Sequence, residues 1–70
     1  ARALWVRLRV WRTEVAQKHG IPAYVVFHDA TLAAFVRLRP QTENELRQVP
    51  GIGVRKLESY GEDLLEILRA

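Results

Sequence analysis

The sequence predicts an all-α fold, a compact five-helix bundle with a helix-hairpin-helix-like turn, and three observations carry that prediction. Apolar residues recur at spacings of four, three and four along the first eighteen positions, the period of a helix with one buried face. No segment shows the alternation of a paired strand. Proline and glycine cut the remainder into short helical lengths. The 70 residues fit one domain over 1–70 with a single core, near the lower size limit for independent folding. With no cysteine, neither a disulfide nor a thiolate metal site can staple it, so stability rests on packing, on the order of 3 to 10 kcal/mol.

The first helix is predicted over Ala3 to Lys18. Leu4, Leu8, Trp11 and Val15 share one face, flanked by Trp5, Ala16 and the stem of Arg12. Arg2 and Arg9 lie further round the same side, and Arg7 and Lys18 border the other edge. Lys18 and His19 in the last turn, Gly20 as a left-handed cap, Ile21 and the blocking Pro22 mark its end. Ala3, Val6 and Val10 make a second, partly exposed apolar strip, read either as scattered surface valines or as a protein-docking patch.

Tyr24-Val25-Val26-Phe27 has strand propensity but no partner strand, and reads as a connector containing a short helical turn. Asp29 is expected to cap a second helix, with Leu32, Phe35 and Val36 inward and Arg37 and Arg39 outward, before Pro40 stops it. Thr42 and Glu45 have capping-box spacing, which starts a third helix running to about Gln48 with Leu46 and Val49 in the core. Pro50-Gly51-Ile52-Gly53 then turns the chain tightly into a fourth helix, with Val54 and Leu57 inward, closing at Tyr60-Gly61. Glu62 and Asp63 open a fifth, whose apolar residues are Leu64, Leu65, Ile67 and Leu68.

Charge is unevenly distributed. Residues 1–39 hold seven Lys/Arg against two acids, a balance of +5, whereas residues 40–70 hold four against six, a balance of −2. A basic half suits a polyanion, and equally an ordinary solvated surface. There is no apolar run long enough to span a membrane and no signal-peptide pattern. The absent initiator Met points to a module cut from a longer protein.

Tyr24 sits between Lys18 and His19 on one side and His28 on the other, an aromatic ring within a basic rim. It reads either as a platform for a stacked base or as a core tyrosine with a bonded hydroxyl. Arg55 and Lys56 fall in the first turn of a helix, where the macrodipole disfavours cations. An anion on the amides of Gly53 and Val54 would account for them, as would a salt bridge from Arg55 to Glu58. Arg37 and Arg39 suit the end of their helix as solvated charges and are weaker candidates for contact. His19 and His28 lack the spacing of metal ligands, Glu62 and Asp63 have a structural reason as helix-start residues, and no catalytic triad or phosphate loop is present. Neither a cofactor nor catalysis is expected.

Four ordered blocks resemble the HRDC domain, the helicase-and-RNase-D C-terminal module. They are Leu4-x-x-x-Leu8-Arg9-x-x-Arg12-x-x-x-Ala16, Ile21-Pro22-x-Tyr24-Val25-Val26-Phe27-x-Asp29-Ala30-Thr31-Leu32, Pro40-x-Thr42-x-x-Glu45-Leu46 and Gly51-Ile52-Gly53-x-Arg55-Lys56-Leu57-x-x-Tyr60-Gly61. They cover nearly the whole chain, and the wording around Tyr24 and Lys56 is most like that of bacterial RecQ-type helicases. Ala23 replaces a second proline of that pattern, and Val10 and Trp11 replace a basic and an aliphatic residue.

The resemblance implies a non-catalytic accessory domain of an ATP-dependent DNA helicase, monomeric and cytoplasmic at the bacterial nucleoid, serving DNA repair and recombination. It implies weak binding to DNA, single-stranded or forked, or docking on the helicase core. In RecQ-type modules the tyrosine matching Tyr24 is associated with single-stranded DNA. Lys18, Arg55, Lys56, Arg37 and Arg39 would accompany it on nucleic acid, and Ala3, Val6 and Val10 would serve protein docking.

Overall fold

The computed structural model describes residues 2–70. Five helices follow one another: α1 (Arg2–His19), α2 (Ala23–Val26), α3 (Asp29–Leu38), α4 (Glu43–Arg47) and α5 (Gly53–Arg69). The long α1 packs on α2, α3 and α5, and α4 packs on α5. Leu8, Leu32, Phe35, Leu46 and Leu64 are fully buried where these helices meet. Around them lie Val26, Phe27, Val49, Ile52, Leu57, Ile67 and Leu68. Leu4, Trp11 and Val15 are only half-buried, so the predicted face of α1 is right in direction but centred on Leu8, Arg12 and Ala16.

α1 stops as its sequence dictates. Gly20 takes φ 65°, the Ile21 N–H donates to the Ala16 carbonyl at 3.0 Å and the Gly20 N–H to Gln17 at 3.2 Å, which satisfies carbonyls the helix would leave open. Ala23, Tyr24, Val25 and Val26 form the four-residue α2, and Phe27 follows it in extended conformation. Its β-branched residues are tolerated because Val26 and Phe27 are buried while Tyr24 and Val25 face out.

Two helix starts differ from expectation. The residue before α3 is His28, with no side-chain cap, and Asp29 is the first helical residue, its carboxylate turned to Arg12 instead. At α4, Thr42 Oγ1 accepts from the Glu45 N–H at 3.1 Å as predicted. The return bond lands one residue earlier, from the Gln41 N–H to Glu45 Oε1 at 2.7 Å. Gln41 also anchors the connection: its Nε2 donates to the Leu68 carbonyl at 3.1 Å, and Arg69 Nε donates to the Gln41 carbonyl at 2.9 Å.

The largest correction concerns the last third of the chain. The predicted break at Tyr60-Gly61 does not occur, and one helix of 17 residues runs from Gly53 to Arg69. Gly61 lies inside it, buried, with Leu57 of the same helix and Leu46 of α4 at ordinary contact distance from where a Cβ would stand. Val54, expected inward, is 70% exposed. Five helices remain because the connector helix α2 counts as one. The turn before α5 is as tight as its sequence suggests, though its close neighbour is α3. Gly51 has φ 91°, and a Cβ there would stand 2.6 Å from Thr31 Oγ1.

Candidate nucleic-acid interface

Tyr24 occupies the second position of α2 with 60% of its surface exposed, so the alternative of a buried core tyrosine is excluded. Its ring lies 5.8 Å from that of His28, centroid to centroid, tilted by 33°. The turn that carries both is locked from below by two neighbours. Phe27, 1% exposed, sits among Trp11, Phe35 and Tyr60, with ring centroids 5.3 to 6.1 Å away. Arg12 reaches across from α1 and donates from one terminal nitrogen to the Phe27 carbonyl at 2.9 Å and to Asp29 Oδ1 at 2.7 Å. A flexible loop would lose rotational freedom on binding a base, and this turn is already fixed.

Lys56 lies beside that turn. Its Nζ sits 5.2 Å from the centroid of the Phe27 ring, a cation–π contact that carries the charge to the edge of the aromatic cluster. Of the two explanations offered for Arg55 and Lys56, the salt bridge to Glu58 is not formed. Among the described residues the ion pairs are Arg12–Asp29 and Arg47–Glu43, with none between Arg55 and Glu58. Arg55 and Val54 are exposed, and Gly53 opens the helix with φ 66°.

The predicted cations therefore divide. Lys18 ends α1 a few residues before Tyr24, and Lys56 touches the ring three residues after it. Arg37 and Arg39 close the opposite end of α3, about 15 Å away at 1.5 Å per residue. Arg39 adopts the left-handed cap conformation with φ 44° and borders a shallow hollow with Ala3, Leu4, Arg7, Ile67 and Leu68. Lys56 thus shares the neighbourhood of Tyr24, Lys18 precedes that turn in the chain at the end of α1, and Arg37 and Arg39 belong to another.

Arg9 joins the first neighbourhood, and nothing in the reading of single residues had given it weight. It stands one turn before Arg12 on α1, and its charge reaches the Asp29 carboxylate. That carboxyl is held below its ordinary value first by the Arg12 hydrogen bond and charge, against an opposing effect of desolvation, with Arg9 and His28 adding smaller pulls in the same direction as Arg12. The available signal was the three-residue spacing from Arg12, visible only once Arg12 is known to face α3.

On the outer side of α1, Val6 and Val10 are 50% and 53% exposed and line a groove of about 380 Å³ with Trp5, Arg9, Thr13 and Glu14. Ala3 is exposed but does not line that groove. Among the described residues no three of His, Cys, Asp and Glu converge on a possible metal site. No described helix is long and apolar enough to cross a membrane.

A family model for the HRDC domain matches residues 1–68. The chain belongs to the HRDC domain family. The third HRDC domain of D. radiodurans RecQ has the same fold, with a TM-score of 0.90 and 41% identity over 94% of this chain and 87% of that one. The ATP-dependent DNA helicase UvrD2 of Mycobacterium tuberculosis is 47% identical over 66 residues, which are 94% of this chain and 9% of that protein. The ATP-dependent DNA helicase RecQ of Pasteurella multocida is 38% identical over 66 residues, 94% of this chain and 10% of that protein. The likeness to RecQ expected from the sequence is therefore present, and UvrD2 adds a second kind of helicase. This HRDC domain spans about a tenth of the length of either relative, beside a far larger remainder.

Proposed function

We propose that this HRDC domain is a non-catalytic accessory module of an ATP-dependent DNA helicase, and that it binds single-stranded DNA weakly and tunes which substrates the helicase engages. The observation that carries the reading is Tyr24: a 60% exposed aromatic ring on a turn locked by buried Arg12 and Phe27, with Lys56 over the Phe27 ring beside it. A base stacks on such a ring for about 1 to 3 kcal/mol while Lys18, Lys56 and Arg55 follow the phosphates. Three or four phosphate contacts correspond to a dissociation constant of roughly 10⁻⁴ to 10⁻⁶ M. Arg37 and Arg39, at the far end of α3, contribute through their general field.

Titration of labelled oligo-dT at low salt tests this. The wild-type domain saturates in the micromolar range, Tyr24→Ala weakens binding about tenfold or more, and Lys56→Ala weakens it by a smaller factor. Failure to saturate at high micromolar protein, or wild-type affinity in both variants, would overturn the reading.

A second reading rests on the outward pair Val6 and Val10, both half exposed over one groove: docking of this face, with Ala3 at its end, on the helicase core. It requires the isolated domain to associate with a helicase lacking it, and Val6→Glu with Val10→Glu to abolish that association. Equal association of the Glu variants would remove the groove as the interface.

A further inference from the structure

We propose that Trp5 and Arg9 form a second nucleotide-binding station on α1, extending the single-stranded path that begins at Tyr24; the inference rests on the Tyr24 reading. The Arg9 guanidinium carbon lies 5.8 Å from the centroid of the Trp5 ring. Arg9 is exposed and, among the described residues, takes part in no ion pair. Trp5 is half-buried and packed against the core, so its ring is a fixed surface. A guanidinium held over an indole presents a flat cationic plane on which a base can stack and N–H groups that bond a phosphate. That combination is the one by which unstacked nucleotides are held without sequence preference.

Position makes this a continuation of the first site. Arg2, Trp5, Arg9 and Arg12 follow one another at spacings of three, four and three, one edge of α1. Arg12, at the end of that row, reaches Phe27 and Asp29, so the row runs toward the turn bearing His28 and Tyr24. Three cations and one indole make up that edge. Of the acids near it, Asp29 is offset by Arg12 at 2.7 Å and feels Arg9 and His28 as well, while Glu14 lines the groove on the other side of Trp5 and Arg9. As an ordinary surface contact the Trp5–Arg9 pair would contribute only to folding, and would have no reason to matter for oligonucleotide length.

Length is therefore the discriminating variable. Oligo-dT of about 4 and about 16 nucleotides is titrated by anisotropy against wild type, Arg9→Ala, Trp5→Ala, Trp5→Phe and Tyr24→Ala, with circular dichroism as the check on folding. Wild type binds the long oligonucleotide about tenfold more tightly than the short one. Arg9→Ala and Trp5→Ala erase most of that difference with the short oligonucleotide unaffected, and Trp5→Phe keeps part of it. Tyr24→Ala weakens both lengths. Arg9 is on the surface, so its variant folds even where Trp5→Ala does not. If Arg9→Ala and Trp5→Phe bind both lengths as wild type does while Tyr24→Ala is weakened, the second station falls and the Tyr24 reading stands. An equal loss at both lengths in the Arg9 variant also overturns it, since the two stations would then be one. Should Tyr24→Ala bind like wild type, or wild type bind neither length, both readings fail together. Unchanged DNA binding with lost association to the helicase core would assign Trp5 and Arg9 to protein docking instead.

Discussion

Arg12 is 6% exposed, and a guanidinium at that depth stands only if its donors are met. One terminal nitrogen serves both the Phe27 carbonyl and Asp29, whereas Nε has no partner. The charge is thus compensated at one end and left dry at the other, which makes its partners hard to remove. Arg12→Ala is expected to lower stability by about 1 to 3 kcal/mol, because the Phe27 carbonyl loses its donor inside the protein. Asp29 supplies a test with a sign. Its folded pKa lies below the ordinary 3.8 because Arg12 bonds and attracts the charged form. The ionised carboxylate therefore stabilises the fold fully above that value, and the contribution disappears as pH falls through it toward the lower folded pKa. Thermal unfolding of wild type and Asp29→Asn followed from neutral pH to about pH 3 should give a gap that favours wild type and closes on acidification below about pH 4. A gap independent of pH would mean that Asp29 acts through shape alone.

Gly61 was the point at which local sequence misled at the scale of helices. A glycine after tyrosine, followed by two acids, has the wording of one helix ending and another beginning. Yet Gly61 is helical, and its Cβ position is 3.4 Å from Leu57 Cδ1 and 3.8 Å from Leu46 Cδ2. The helix runs on through the glycine because its two sides pack on the rest of the protein, a tertiary reason that no local pattern encodes. Since only a flexible leucine end lies near, Gly61→Ala is expected to raise stability by about 0.5 to 1 kcal/mol through helix propensity. Gly61→Leu should lower it by overpacking. Denaturant unfolding decides between them, and a large loss on Gly61→Ala would argue for a break in α5. Gly51 behaves oppositely, because alanine there meets Thr31 Oγ1 at 2.6 Å with φ 91°. By contrast, α1 with its glycine stop, the Thr42 start of α4 and the core roles of Leu8, Leu32, Phe35, Leu46 and Leu57 were legible, since each rests on period or capping within a few residues. Tyr24 was legible as a candidate but not as exposed. Arg12 looked like a flanking stem, and its role depends on Phe27 and Asp29 arriving fifteen and seventeen residues later.

For the molecule as a whole, the charge asymmetry of the sequence becomes a spatial one. The +5 of residues 1–39 belongs to α1, α2 and α3, and the −2 of residues 40–70 to α4 and α5. Glu62 and Glu66 are exposed on α5, and Glu66 lines a hollow with Arg7, Val10 and Trp11 of α1. The domain measures 29 × 27 × 19 Å. Screening extends about 8 Å at physiological ionic strength and about 30 Å at 0.01 M, so carboxylates more than about 8 Å from the surface proposed to bind DNA act on it only in dilute salt. Neutralising Glu62→Gln with Glu66→Gln should therefore tighten oligo-dT binding several-fold at about 0.01 M salt and change it by less than about twofold at 0.15 M. The basic neighbourhood dominates at both, with a log–log salt slope near −2 to −3 for single strands, so that raising salt from about 50 to 200 mM costs roughly 15- to 65-fold in affinity. Titrations of the double variant and wild type at both ionic strengths measure this. Equal tightening at high salt would place Glu62 and Glu66 at the DNA itself, and the path would then cross α5 instead of following α1.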